Sequence, residues 1–324
     1  MKHHLILFYG ASSGAGKSTL SSRLHQVLKQ ANVPTQWLYE DDVQHLDLFA
    51  PVMAYMRGEG YTDMPSACLA TTANLVKSCA GADTIVIADS ILPYYDWLLA
   101  AGYDDATLHL FNQQLQEQVR PLHPLIVYLQ ADIATVLQRA VDQRGEQWLR
   151  DLILFMNTWA ANKNQPIRHQ ADVIAYLERN DQRKRQLLAE WTGDILWLDS
   201  VHHALDSCTA TLLNYLALTP PAGQALQLPS ATLQRYVGQY VTADVDPPDG
   251  DRDLTITLRD HELWANLYWP TGCRLAAVDE QRFQLQATSH WLVFVDPVNV
   301  TDPHLHYHYC GKIYTYQKMV VAKD

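Results

Sequence analysis

Short, uninterrupted apolar runs punctuate the first two thirds of the chain: LILFY at 5–9, TQWLY at 35–39, TIVIA at 84–88, LIVYL at 125–129 and DILWL at 194–198. Apolar runs of about five residues with no polar face fit strands that are covered on both sides. Between them lie longer stretches such as SSRLHQVLKQ, whose apolar positions recur at helical spacing. This alternation predicts a layered α/β fold around a parallel sheet. The stretch 205–218, LDSCTATLLNYLAL, reads as its closing helix.

The segment TPPAGQALQLPS, 219–230, has three prolines and no period, and reads as a linker. Beyond it the period changes to two. RYVGQYV, LTITLRD, ELWANLYW, CRLAAVD, RFQLQAT, WLVFVD, HLHYHYC and KIYTYQK alternate apolar and polar positions, with turn-like breaks between them. Such a series predicts an antiparallel barrel or sandwich. The expected organisation is a first domain over 1–218, a linker over 219–230 and an all-β domain over 231–324.

Composition narrows the class. The 324 residues are 48% hydrophobic and 18% charged, enough apolar material for real cores and against global disorder. With 24 Lys+Arg and 35 Asp+Glu the net charge is −11, which argues against nucleic acid as the partner. Residues 225–324 hold 8 Lys+Arg and 12 Asp+Glu, a net −4, leaving −7 for the rest, so the acidity is shared. No apolar run approaches the ~20 residues that span a bilayer. The apolar part of MKHHLILFYG is short for a signal peptide. Five scattered cysteines (Cys68, Cys79, Cys208, Cys273, Cys310) form no C-x-x-C and read as small buried hydrophobes in a reducing compartment. The expectation is a soluble, cytoplasmic protein with no membrane contact.

The strongest chemical signal is Ala11-Ser12-Ser13-Gly14-Ala15-Gly16-Lys17-Ser18-Thr19. It has the P-loop spacing, except that Ala11 stands where the first glycine is usual, with Gly10 just before it. Gly14 and Gly16 let successive backbone N–H groups point into one concavity, and the helix that follows adds its positive end. Lys17 supplies a point charge to phosphates, and Ser18 is placed to ligate Mg²⁺. An apolar strand precedes the loop and an amphipathic helix, 18–30, follows it. The nucleotide-binding set is therefore Ser13, Gly14, Ala15, Gly16, Lys17, Ser18 and Thr19, with ATP and Mg²⁺ as expected cofactors. No N-K-x-D or T-K-x-D motif indicates guanine recognition.

Three further features point to phosphoryl transfer onto a small molecule. Glu40-Asp41-Asp42 follow the second apolar run, where residues of a parallel sheet face the ligand crevice. A carboxylate there can take the proton of an attacking hydroxyl or hold Mg²⁺ through water; an acidic helix cap is the competing reading. Asp89-Ser90 close the third run, so that Asp89 and Ser18 form the expected metal pair. Arg139 and Arg144, on and at the end of a helix after LIVYL, can neutralise transferring phosphates, although such arginines are as often simply solvated. Between the second and fourth strands, Phe49, Tyr55, Met56, Arg57, Tyr61, Tyr94, Tyr95, Trp97 and Tyr103 offer an acceptor pocket or ordinary core. Arg57, Tyr94 and Tyr95 are the substrate candidates among them.

GASSGAGKSTL, LIVYLQADIATVLQRAVDQRG and YLERNDQRKRQLLAEWTGDILWLDS together resemble the thymidylate kinase and deoxynucleoside kinase group, over most of residues 4–217. The resemblance implies a P-loop NTPase fold of three layers around a five-stranded parallel sheet, with ATP at the loop. It also implies a lid carrying Arg139 and Arg144, and Glu40 as base. Where that group carries an acidic or polar residue and then Arg after the third strand, this chain has Ala88-Asp89-Ser90. That departure turns the expectation toward a non-nucleotide hydroxyl acceptor. The expected enzyme is an ATP-dependent kinase using Lys17, Glu40, Asp41, Asp42, Arg139 and Arg144. A nucleoside or nucleotide kinase, and a nucleotide-dependent sensor without acceptor, are the alternatives. A homodimer is left open.

LQRYVGQY, LTITLRDHELWANL, RFQLQAT and IYTYQKM in residues 231–324 resemble the small lipocalin-like barrels appended to serine β-lactamase-like proteins. That resemblance implies no chemistry. His304, His306 and His308 alternate and would share one face of a strand, either as metal ligands or as its wet side.

Overall fold

The computed structural model describes residues 2–79, 83–218, 226–244, 246–248, 252–268, 271–295 and 303–319, apart from the side chain of Gln44. It divides into two compact units, one of residues 1–142 and 146–221, the other of 143–145 and 222–324. The division falls inside the expected linker. Residues 219–225 of that linker lie outside the described residues, and its last residue, Ser230, already opens a short helix of the second unit.

The first unit contains β1 (Leu5–Gly10), α1 (Lys17–Gln30), β2 (Thr35–Leu38), α2 (Ala50–Met56), α3 (Met64–Cys79), β3 (Ile85–Asp89), α4 (Tyr95–Ala101) and α5 (Asp105–Val119). It continues through β4 (Leu125–Gln130), α6 (Ile133–Arg144), α7 (Glu146–Thr158), α8 (Gln170–Ala189), β5 (Asp194–Asp199) and α9 (Leu205–Tyr215). The five strands form one parallel sheet in the order β2-β3-β1-β4-β5. Alternation along β1 explains the layers. Leu5, Leu7 and Tyr9 face a core completed by α3, α4, α5 and α8, while Ile6 and Phe8 face one completed by α1 and α9. Both faces are buried, which is why these strands read as unbroken apolar runs.

The second unit begins with α10 (Ser230–Leu233) and continues as eight strands: β6 (Gly238–Val241), β7 (Asp253–Arg259), β8 (Glu262–Ala265), β9 (Cys273–Ala277), β10 (Arg282–Leu285), β11 (Trp291–Val295), β12 (His304–Tyr309) and β13 (Lys312–Lys318). They close into an antiparallel barrel, with β6 beside β13 and β9 beside β10. Closure removes the free edges that an open sheet would present. The inward positions, among them Leu254, Ile256, Phe283, Leu292, Phe294, Leu305, Tyr307 and Tyr316, fill the interior with side chains. On β12 the histidines are the outward, half-buried set and Leu305 and Tyr307 the inward one. Among the described residues, no three metal-ligating atoms of that strand gather within 4.8 Å of one another.

None of the five cysteines forms a disulfide; four are buried and Cys310 is half-buried. Among the described residues no helix is long and apolar enough to cross a membrane.

Candidate functional site

The site is built where β1 ends and α1 begins. Gly14 and Gly16 have φ of +84° and +91°, a region that glycine enters without strain. Gly14 is also fixed by space. A Cβ there would lie 2.3 Å from the Val136 carbonyl oxygen and 3.3 Å from Ala140 Cβ, so α6 crosses the loop at closest approach. Arg139 sits on α6 beside Ala140 and is exposed; Arg144 ends the same helix and is half-buried. α1 starts from Gly16 without a side-chain cap and without an acidic residue in its first turn. Its first N–H groups therefore face the loop, an arrangement suited to anions.

Lys17 donates from Nζ to the Ser12 carbonyl at 2.9 Å, folding back across the loop. Burial holds its ammonium below the usual lysine range, while Glu40 and Asp89 oppose that shift by their charge. Asp89 is the last residue of β3 and fully buried. Burial pushes its carboxyl up to about 6, with the Ser18 hydroxyl and Lys17 opposing. Ser90 donates to Oδ1 at 3.0 Å, the Ser18 hydroxyl also acts on the carboxyl, and Oδ2 is buried with no hydrogen bond of good geometry among the described residues. A buried carboxylate beside a serine hydroxyl is a set of hard oxygen ligands suited to Mg²⁺.

The acidic trio forms the first turn of a 3₁₀ helix, Glu40–His45, directly after β2. The three residues separate by environment. Glu40 reaches solvent inside a crowded recess, and burial pushes its carboxyl up to about 7; Lys17 works against that shift, and Asp89, Asp41 and Asp96 add to it. Asp41 is hydrogen-bonded to the buried Tyr39 phenol. Asp42 is half-buried, its N–H donating to the Tyr39 carbonyl at 3.1 Å.

The substrate candidates fall elsewhere. Tyr94 and Tyr95 are inside the core that α3, α4 and α5 share, and the Tyr95 hydroxyl donates to Asn112 at 2.6 Å within that core. Arg57 caps α2 from the surface, paired with Glu59 at 3.0 Å, both more than half exposed. Tyr94 and Tyr95 are thus buried packing residues and Arg57 is exposed.

The residues that do reach the loop from the other side were not apparent from spacing. Lys184 on α8 is only 1% exposed, and its Nζ donates to the Gly10 carbonyl (2.9 Å), the Ala11 carbonyl (3.2 Å) and Asp96 Oδ1 (3.0 Å). Tyr9 donates to Asp96 Oδ2 at 2.6 Å and accepts from the Asp96 N–H at 3.1 Å. Asp96 lies on α4, so one carboxylate ties β1, α4 and α8 together where the loop begins. The buried face of α8 runs through Val173, Tyr176, Asn180, Asp181, Lys184, Leu187 and Leu188. The helical spacing of Lys184 from the apolar Val173, Tyr176 and Leu187 is the signal that would have found it.

No family model and no curated protein matches this chain. Among solved structures, APE1195 aligns at 13% identity over 67% of this chain and 97% of its own, with a TM-score of 0.39. The YorR protein of Bacillus subtilis, solved in complex with phosphorylated GDP, aligns at 13% identity over 66% of this chain and 95% of its own, with a TM-score of 0.36. At these values the two likenesses assign this chain no function.

Proposed function

We propose that the chain is an ATP- and Mg²⁺-dependent phosphotransferase of the P-loop type that moves the γ-phosphoryl group to a hydroxyl of a small molecule. The observation that carries this reading is the fully buried Asp89 carboxylate at the end of β3, against the Ser18 hydroxyl that opens α1, with Glu40 and Lys17 in the same electrostatic cluster. A carboxylate that burial penalises is an expensive group to keep beside a glycine loop unless a cation meets it there.

In this mechanism the N–H groups of residues 13–19 and Lys17 bind the triphosphate, releasing Lys17 from the Ser12 carbonyl. Ser18 and Asp89 would hold Mg²⁺, which supplies charge neutralisation between the phosphates. Glu40 accepts the proton of the acceptor hydroxyl, a task suited to a carboxyl with a pKa of about 7. Asp41, engaged by Tyr39, orients rather than accepts. Arg139, beside the loop on α6, meets the charge of the transferring group. The acceptor is a non-nucleotide hydroxyl compound, because the arginine that positions a nucleoside after β3 is replaced by Ser90.

Turnover of ATP against a panel of sugars, hydroxylated antibiotics and nucleosides tests the reading. Acceptor-dependent turnover that falls by at least about 10²-fold in Lys17→Ala is the expected result. Full phosphoryl transfer by that variant would overturn it, and turnover indifferent to every acceptor would favour a nucleotide-dependent sensor.

The base assignment has its own signature. Glu40 must be ionised to accept a proton, so kcat/KM should rise about tenfold per pH unit up to about 7 and then level off. Glu40→Gln should remove that limb and lower kcat by about 10²-fold or more. An unchanged acid limb in Glu40→Gln would move the base to another residue.

A further inference from the structure

At the amino ends of β1, β4 and β5, the opposite end of the sheet from the glycine loop, lies a cavity of about 260 Å³. The six residues of β1, at ~3.3 Å each, separate it from the loop by roughly 20 Å. Its walls include Lys2, Arg120, His123, Trp191, Gly193 and Asp194.

Two independent features mark it as more than a surface dent. Trp191 is only 8% exposed, and its indole N–H is buried without a hydrogen-bond partner. Leaving such a donor unmet costs about 1–3 kcal/mol, so buried indole nitrogens normally find an acceptor. The second feature is Gly193. Its φ is outside the left-handed region, so the backbone does not demand glycine there. Space does: a Cβ would sit 2.6 Å from Trp191 Nε1 and 3.4 Å from the Pro124 carbonyl oxygen. The missing side chain is what lets the backbone pass this close to the indole nitrogen without covering it by a Cβ.

The charge of the walls says what belongs there. In a chain of net charge −11, the lining brings together Lys2, Arg120, His3 and His123 with one carboxylate, Asp194, which Lys2 and His3 approach. Both cations are held only by surface pairs, Lys2 with Asp194 and Arg120 with Glu117, of the kind that reorganises readily. The His3 ring is buried and anchored, donating from Nδ1 to the His123 carbonyl at 2.8 Å. One oxyanion could supply an acceptor for Trp191 while drawing Lys2 and Arg120 out of these exposed pairs.

We propose that this cavity is a binding site for a small oxyanion, a carboxylate or a phosphate, whose oxygen accepts from Trp191 Nε1–H and whose charge is met by Lys2 and Arg120. The site is separate from the glycine loop and its occupancy does not depend on phosphoryl transfer.

The test follows the indole N–H itself. In ¹⁵N-labelled full-length protein, Trp191→Phe identifies the Trp191 indole resonance among those of the nine tryptophans. Inorganic phosphate and succinate are then titrated separately at constant ionic strength. A saturable shift of that resonance with one of them is expected, and which one separates a phosphate from a carboxylate ligand. Gly193→Ala should abolish the shift, and the surface pair Lys2→Gln/Arg120→Gln should weaken binding by about tenfold. A resonance that neither probe moves, as when water alone fills the cavity, overturns the proposal. So does a shift of equal affinity in the Lys2→Gln/Arg120→Gln protein, which keeps the interior intact.

Discussion

Lys184→Met should lower the stability of the first unit by about 3 kcal/mol, the low end for breaking a buried ion pair by removing one partner. The estimate comes from what is left behind. The Gly10 and Ala11 carbonyls lose their shared donor inside the protein, and Asp96 keeps only Tyr9 and its own N–H contact. Methionine nearly matches the stem's volume, so packing contributes little. The low end applies because the Asp96 side chain is 48% exposed and water screens part of the loss. For a unit of this size the change should appear as a melting temperature lower by about 6–12 °C. Function should suffer beyond stability, since Gly10 and Ala11 set where the phosphate-binding N–H groups point. At a temperature where the variant is fully folded, KM for ATP should rise by about tenfold or more. A variant that melts lower but binds ATP normally would make Lys184 a structural residue alone.

The fold was legible because burial leaves two different signatures in sequence. Leu5–Tyr9 and Leu125–Leu129 are covered on both faces and read as unbroken apolar runs, while RFQL and HLHYHY alternate because one side of the barrel wall is wet. Boundaries shifted by single residues, and one shift matters. β3 runs Ile85–Asp89, so Asp89 is the last strand residue and is pinned by backbone pairing opposite Phe8. A loop residue after the strand would not be held so rigidly.

The candidate site was legible where it is local. Residues 10–19 carry their own geometry in two glycines and a helix start. The long-range half was not. Tyr9 and Asp96 are 87 positions apart and Lys184 is 174 from Gly10, and no spacing rule links them. Lys184 sits in ERNDQRKRQ, a stretch that reads as a solvated charged face. Only the helical stripe through Val173, Tyr176 and Leu187 shows that Lys184 turns inward, as Asp181 on the same face does. Aromatic content misled in the opposite direction: Tyr94 and Tyr95 follow a strand end, yet their rings complete the core with Tyr9 and Phe111. The acidic trio could be placed by sequence but not ranked. Electrostatic environment ranks it, through the Lys17, Asp89 and Asp96 charges around Glu40 and the Tyr39 phenol on Asp41.

Asp89→Asn should make the protein more stable and less active at once. In the folded state burial raises the Asp89 carboxyl to about 6, against 3.8 for the free group. Between those values the folded chain holds a proton that the unfolded chain releases. The stabilisation from neutral Asp89 is thus complete below pH ~4 and lost as pH rises through about 6. Asparagine does not titrate and escapes that loss. Its advantage over the wild type should be small at pH 4 and grow to about 3 kcal/mol at pH 7, a figure in which the attraction of Lys17 is already included. In melting temperature that is an increase of several degrees at pH 7, at about 2–4 °C per kcal/mol. On the proposed function, the carboxylate is kept despite its cost because it would hold the metal. Mg²⁺-dependent turnover in Asp89→Asn should therefore fall by about 10²-fold or more. Added Mg²⁺ should raise the melting temperature of the wild type more than that of the variant, because a ligand stabilises only the state that binds it. Paired thermal melts at pH 4 and pH 7, with and without Mg²⁺, read all three effects. A variant less stable than the wild type at pH 7 would mean that Asp89 is a structural partner of Ser18 and Lys17 rather than a held-open ligand.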